Sequence, residues 1–198
     1  MNTVVITGSA RGLGLELAKE FRKNNYNVVI SDLKEESLAS AKEELSKIQS
    51  DAKIHSVVAD VTSESDLEHL LDETQKEFQT IDIFINNAGV NQHMVPIWEV
   101  SSDEIKRLMD IDLKGAIIGT KLAIQRMMKQ GHGAIYGIEG YGSNDAMMLG
   151  LSIYGTSKRG LTYFLEATAK EIKEKNLPIQ IGALSPGIMI TNFITHSL

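Results

Sequence analysis

The sequence predicts an α/β fold in which a parallel sheet is covered by helices on both faces, and three observations predict it. Short β-branched runs alternate regularly with longer amphipathic stretches along the whole chain. No linker, low-complexity segment or repeat divides the 198 residues, a length that suits one domain. The first apolar run leads straight into a glycine-rich turn and then a helical pattern.

The elements follow in order. Thr3–Thr7 is a short β-branched run and so a buried strand. A helix over Leu13–Asn24 puts Leu13, Leu17, Ala18 and Phe21 on one face, and Asn27–Ser31 is the second strand. Glu36–Ser50 is an amphipathic helix with Leu38, Ala41, Leu45 and Ile48 inward, followed by a third strand at Ile54–Ala59. Ser63, with Asp66 three residues on, caps a helix that runs to Phe78. Ile81–Ile85 is the fourth strand. Ser101, with Glu104 behind it, opens one long helix from Asp103 to Lys129. A strand at Ala134–Ile138, a long helix at Ile153–Asn176 and a strand at Ile179–Leu184 complete the pattern.

Bulk composition excludes several classes of function. A net charge of −6 and a pI near 5.4 argue against a nucleic-acid surface. Cysteine is absent, so the chain has no disulfide, no zinc-thiolate site and no thiol nucleophile. His55, His69, His93, His132 and His196 lack ligand-like spacing, and no metal is expected. No apolar run approaches the roughly 18 residues of a membrane span. The first strand begins too early to leave room for a leader, which leads to the expectation of a cytoplasmic protein.

The turn after the first strand reads Thr7-Gly8-Ser9-Ala10-Arg11-Gly12-Leu13-Gly14. Gly8 permits a tight turn, Gly12 a close backbone approach to a pyrophosphate, and Gly14 close packing of helix on sheet. The helix start offers N–H groups and a positive dipole end to phosphate. Asp32, ending the second strand, can accept both hydroxyls of an adenosine ribose and repels a 2′-phosphate. Arg11 pulls the other way, because a guanidinium can hold that phosphate. Leu33 is apolar where a second base could sit, so NAD is preferred over NADP. In Ala59-Asp60-Val61, Asp60 can reach an adenine amino group or serve a turn.

Tyr154 and Lys158 are four residues apart and share a helix face. A phenol is a poor acid–base group at neutral pH, and an adjacent ammonium is expected to lower its pKa. None of the other four tyrosines has a lysine four residues on.

Taken in order, TGSARGLG, Asp32, ADV, NNAG, YGTSK and SPGIMIT resemble the short-chain dehydrogenase/reductase family over nearly the whole chain. The resemblance implies a Rossmann-type doubly wound parallel sheet of strand order 3-2-1-4-5-6. It also implies bound NAD or NADP and a small carbonyl or alcohol substrate. Asn86, Asn87, Ala88 and Gly89 would brace the sheet and line the adenosine side, beside Val61. Pro186, Gly187, Ile188 and Thr191 would border the nicotinamide, and Lys158 would also hold its ribose. The family's four-helix interface would use helices 103–129 and 153–176 in a homodimer or homotetramer. A seventh strand and a pocket-covering segment would follow Thr191, where this chain has only Asn192 to Leu198. The single domain 1–198 therefore reads as C-terminally incomplete relative to the family.

Two departures stand out. The family's serine, 13 residues before the tyrosine, falls on Tyr141 by counting and on Gly140 by aligning the strand. The family's helical asparagine is replaced by Asp112, within Ile111-Asp112-Leu113. An ionised Asp112 would favour charged Lys158 and oppose tyrosinate. The stretch IYGIEGYGSNDAM, with NNAGVN before it and YGTSKRGL after, is similar to chlorophyll b reductase-like proteins, where an acidic residue and a glycine replace the serine. Ser143 and Glu139 are the two candidates for the missing polar group. Met147 and Met148 in that loop, and Met127 and Met128 in the long helix, are expected in packing, an interface or an apolar pocket. The expected activity is hydride transfer between nicotinamide and a carbonyl/hydroxyl pair. The alternative is a dinucleotide-binding sensor or scaffold that has lost turnover.

Overall fold

The computed structural model describes residues 1–144 and 146–187. Six parallel strands form one sheet: β1 (Thr3–Thr7), β2 (Asn27–Asp32), β3 (Ile54–Val58), β4 (Ile83–Asn86), β5 (Gly133–Ile138) and β6 (Ile179–Leu184). Their order is β3-β2-β1-β4-β5-β6, the doubly wound arrangement expected. Register is fixed by pairs such as Val5 with Val29, Val5 with Phe84, and Ile135 with Ile181. Between the strands run α1 (Gly12–Lys23), α2 (Glu35–Ser46), α3 (Glu64–Phe78), α4 (Ser102–Leu108), α5 (Ala116–Gln130) and α6 (Ser152–Glu174).

The period of two along each strand divides the core into two layers. Val4, Ile6, Val28 and Ile30 face α1 and α2, burying Leu15, Ala18, Leu38, Ala41 and Leu45. Val5, Val29, Phe84 and Ile135 face the other way, against Leu67, Leu70 and Leu71 of α3, Leu122 and Met127 of α5 and Ile172 of α6. Both faces of the sheet are therefore covered, as a parallel sheet requires. Among the described residues no helix is long and apolar enough to cross a membrane.

Several expected boundaries shift. The second helix stops at Ser46 rather than Ser50, because Lys47 and Ile48 close a turn onto the carbonyls of Glu44 and Leu45. Strand β4 is Ile83–Asn86 instead of Ile81–Ile85. Its lead-in is held by Gln130, which accepts from the Ile81 N–H at 2.9 Å and donates to the Ile81 carbonyl at 3.0 Å. Ser63 and Ser101 do cap, accepting from the N–H groups of Asp66 and Glu104. Asp66 also accepts from the Ser63 hydroxyl at 2.8 Å and from the Asp60 N–H, while Glu104 reaches away to accept from the N–H of His93.

The long helix expected over 103–129 is not continuous. Met109–Gly115 is a π-helical segment between α4 and α5, with Asp112 inside it. One extra residue per turn is a distortion that sequence periodicity does not report, and such segments recur at functional sites. Gly115 explains part of it. A Cβ there would lie 2.9 Å from the carbonyl oxygen of Val61, so the chain packs against the loop after β3 at closer range than alanine allows.

Candidate active site

The carboxyl ends of β1 and β4 meet where the strand order reverses, the position at which open α/β sheets hold ligands. Thr7 ties the two ends together. Its hydroxyl accepts from the N–H groups of Asn87 and Ala88, both at 3.1 Å. Asn87 returns two donations, to the carbonyls of Thr7 and Gly8 at 2.9 Å each. Asn86 donates to Thr120 on α5 at 3.0 Å. The asparagines thus tie the end of β4 to β1 and to α5.

The turn between β1 and α1 is shaped for close approach. Gly8 has φ +61°, and a Cβ there would lie 2.7 Å from Cα of Ala88. Gly14 leaves no room either, with the Gly8 carbonyl oxygen 2.6 Å from where its Cβ would be. Ser9 is buried, donating to the Ile6 carbonyl and accepting from the Ser31 N–H, and so locks the turn against β2. Arg11, the N-cap of α1, is exposed and its side chain does not cap the helix. The first amide groups of α1, at Gly12, Leu13 and Gly14, therefore lack a capping side chain and fit a phosphate. Asp32 stands beside them, half-buried. It accepts from the N–H of Leu33 at 2.8 Å and of Ala10 at 3.4 Å. Its fixed carboxylate fits a ribose diol. Asp60 serves the turn after β3, accepting from both the N–H and the hydroxyl of Thr62 at 2.8 Å.

Tyr154 and Lys158 lie on the buried face of α6, at 8% and 5% exposure, where the sheet's carboxyl edge meets the π-helical segment. Lys158 Nζ stands 5.6 Å from the centre of the Tyr154 ring. It donates to the carbonyl of Ile138, the last residue of β5, at 3.3 Å, and lies 3.9 Å from Asp112 Oδ2. Asp112 Oδ1 accepts from the Val90 N–H at 2.8 Å, while Oδ2 is buried without a hydrogen-bond donor. Gly89 sits against both groups, its Cβ position 3.6 Å from Asp112 Oδ1 and 3.7 Å from Lys158 Nζ. The NNAG segment, Asp112, Tyr154 and Lys158 form one cluster.

Electrostatics in this cluster are governed by burial. Burial pushes the Asp112 carboxyl up to about 6, against the attraction of Lys158 and the Val90 N–H. Burial likewise holds the Lys158 ammonium below its ordinary range, opposed by the charge of Asp112. The Tyr154 phenol is raised, first by burial and then by Asp112. This corrects the expectation of a lowered phenol pKa: burial first, and then the Asp112 carboxylate, hold it above its ordinary value. The opposing effects expected of Asp112 on lysine and tyrosine are both present.

A family model described as short chain dehydrogenase matches residues 2–197. The chain belongs to that family. A chloroplastic chlorophyll(ide) b reductase of Oryza sativa subsp. japonica is 32% identical over 96% of this chain and 57% of its own length. The chain spans about half the length of the chlorophyll(ide) b reductases it matches. Glucose 1-dehydrogenase 2 of Bacillus subtilis (strain 168) is 32% identical over 96% of this chain and 72% of its own. The crystal structure of NAD+-bound xylitol dehydrogenase superposes with a TM-score of 0.89 at 26% identity, covering 98% of this chain and 72% of that one.

In this member of the family, the two positions on which the usual serine could fall differ in their surroundings. A Cβ at Gly140 would fall well inside contact distance of the Tyr154 phenol oxygen, so Gly140 packs against Tyr154, while Tyr141 is exposed. Ser143 does not turn its hydroxyl there. Its Oγ accepts from the Gly140 N–H at 3.0 Å and donates to the Gly140 carbonyl, closing the loop on itself. Glu139 lies partly buried, its carboxylate 3.4 Å from the Thr162 hydroxyl that donates to it. Pro186 and Gly187 follow β6 at the same edge of the sheet and are exposed. Ile188 and Thr191 lie outside the described residues. Met127 is core, while Met128, Met147 and Met148 are exposed.

Sequence reasoning missed two parts of this site. The Ile138 carbonyl that receives Lys158 is a backbone group with no sequence signal. Gln92, fully buried, accepts at Oε1 from the N–H groups of Ile153 and Tyr154, both at 3.0 Å. A usable signal existed for it: Leu151 precedes α6 and cannot cap a helix.

Proposed function

We propose that the chain is an NAD(P)-dependent oxidoreductase that interconverts a carbonyl and an alcohol on a small molecule, in the cytoplasm. The observation that carries this reading is the buried Tyr154–Lys158 face of α6, standing at the carboxyl edge of the sheet beside the crevice between β1 and β4. Gly8, Ser9, Arg11, Gly12, Leu13 and Gly14 would hold the pyrophosphate and Asp32 the adenosine ribose. Asp60, Val61, Asn87, Ala88 and Gly89 would border the adenosine, and Pro186, Gly187, Ile188 and Thr191 the nicotinamide. The Asp32 carboxylate, with Leu33 beside it, favours NAD. The similar xylitol dehydrogenase is NAD+-bound.

When bound, the cofactor supplies or takes the hydride. Tyr154 handles the proton. A phenol with a raised pKa stays protonated at neutral pH, which is the form that donates to a carbonyl oxygen during reduction. Lys158 stabilises the tyrosinate left behind until solvent reprotonates it. Asp112 favours the charged form of Lys158 against the effect of burial and opposes the tyrosinate. The oxyanion would be served by Tyr154; in this structure the Ser143 hydroxyl is bonded to Gly140 and the Glu139 carboxylate accepts from Thr162. Helices 103–129 and 153–176 would pair two or four copies, and they expose Met128 and Tyr163.

One observation favours the sensor reading: Gly140, which packs against Tyr154, carries no hydroxyl, and Ser143 is spent on the loop. NADH oxidation across an aldehyde and ketone panel, set against NADH binding by titration, separates the two. Turnover of any carbonyl supports the oxidoreductase, and tight binding without turnover supports the sensor.

A further inference from the structure

We propose that Gln92 is a positioning residue for Tyr154, acting as an N-cap for α6 supplied from a distant loop. The inference rests on the oxidoreductase reading for its kinetic consequence and on geometry alone for the cap.

A helix begins with amide groups that lack partners, and an N-cap side chain normally takes those of the second and third helical residues. In α6, which starts at Ser152, these are Ile153 and Tyr154. The residue in the N-cap place is Leu151, which has no acceptor, and no side chain of the segment itself caps the helix. Gln92 stands in for it from 61 and 62 residues away, with one carboxamide oxygen 3.0 Å from both nitrogens. The amide so held belongs to the reactive tyrosine itself.

Gln92 is itself anchored. Its own N–H donates to Asn91 Oδ1 at 2.9 Å. The loop that carries it is clamped on the opposite side, through the Val90 N–H to Asp112, the Asn91 carbonyl to Arg107 and the His93 N–H to Glu104. Gly150 closes the approach: with φ +81°, it brings its loop so near Met94 that a Cβ would lie 2.9 Å from the Met94 carbonyl carbon. Leu108, Leu151 and Tyr154 pack into one small cluster with Val90 and Ile153 around this junction. One short loop thus fixes Asp112 at one end and the start of α6 at the other.

The chemistry of the amide supports a functional choice. Two N–H donors at a helix start favour a carboxylate acceptor on electrostatic grounds. Glutamine leaves its buried Nε2 without a partner. A glutamate, though, would place a second carboxylate beside Tyr154, adding to the opposition that Asp112 already gives to tyrosinate. A neutral acceptor holds the helix without that charge. The tolerance at Tyr154 is narrow, because its phenol oxygen abuts Gly140 with less than a methyl group's clearance.

The test uses Gln92→Met, which keeps the shape and removes the acceptor, and Gln92→Glu, which keeps the acceptor. Amide hydrogen exchange at Ile153 and Tyr154 should accelerate about tenfold in the methionine variant, with the mid-helix amides of Leu161 and Leu165 unchanged. Its kcat should fall by roughly 10-fold to 100-fold while KM for NADH stays within about twofold. Gln92→Glu should restore exchange protection and recover most of kcat, with its pH–rate profile moved to higher pH. Unchanged exchange in Gln92→Met removes the cap. Faster exchange with an unchanged kcat leaves a structural cap only and overturns the positioning role. If the parent protein turns over no carbonyl, the functional reading has failed. The 13Cζ signal of Tyr154 then decides positioning: a shifted or split signal in Gln92→Met supports it, and an unchanged one overturns it.

Discussion

Replacing Asp112 by asparagine removes the carboxylate from the buried cluster while keeping its shape, and the resulting change in stability should depend on pH in a defined direction. Burial raises the Asp112 carboxyl from its ordinary 3.8 to about 6. The attraction to Lys158 is already included, because it holds the group lower than burial alone would. At about 1.4 kcal/mol per pH unit, that rise corresponds to about 3 kcal/mol. The folded chain binds this proton more tightly than the unfolded chain does. The group's contribution therefore favours folding fully below about pH 4 and is lost as pH rises through about 6. Asparagine never ionises. At pH 4 the two proteins both carry a neutral side chain there, and Lys158 lacks a counter-ion in both. Between pH 4 and pH 8 the variant should gain about 3 kcal/mol on the parent. Urea unfolding at half-unit steps of pH, with slopes checked for constancy, reads the difference directly. A stability difference that stays flat across this range, or shrinks toward high pH, would refute the buried, desolvated carboxyl from which the reasoning starts.

Three other substitutions follow from single contacts. Gly140→Ser puts a side chain where the Tyr154 phenol rests, so it should lower kcat by about tenfold or more rather than supply a useful hydroxyl; a rate increase would show that the tyrosine moves freely. Arg22 is buried and donates to the carbonyls of Leu45 and Ala52 at 2.8 and 2.7 Å, closing the end of α2 onto the turn before β3. Arg22→Met should cost about 3 kcal/mol in urea unfolding with NADH affinity unchanged, and a loss below about 0.5 kcal/mol would contradict that role. Asp32→Ala should weaken NADH binding by roughly tenfold and strengthen NADPH binding, measured by fluorescence titration; an unaltered ratio would remove Asp32 from ribose recognition.

Layer composition was legible because it depends on patterns with a strict period, whereas strand order followed from the family resemblance. Val4 and Ile6 against Val5 divide the core by alternation alone, and the glycine turn with Asn87 and Asp32 marks the crevice by position in the chain. What stayed hidden depends on partners far apart in sequence. The π-helical segment leaves the apolar spacing of residues 103–129 nearly intact, so one helix and three segments read alike. Whether Gly140 or Tyr141 packs against Tyr154 turns on a one-residue register that only the strand's path resolves. The rise in the Tyr154 pKa could not be inferred from the spacing to Lys158, because desolvation belongs to the packed cluster and not to the pair. Ser143 was a reasonable hydroxyl by proximity, yet a loop that must turn sharply after β5 uses it to satisfy Gly140.

The account stands or falls on proton transfer by Tyr154 coupled to hydride transfer at a carbonyl. The most direct test supplies NADH deuterated at the transferable position, together with a carbonyl that the parent reduces, and follows deuterium in the alcohol product. The parent should place deuterium on the carbinol carbon. Tyr154→Phe should bind NADH as the parent does and transfer at least about 100-fold more slowly. Transfer at the parental rate by Tyr154→Phe, with NADH binding intact, would contradict the role given to the tyrosine.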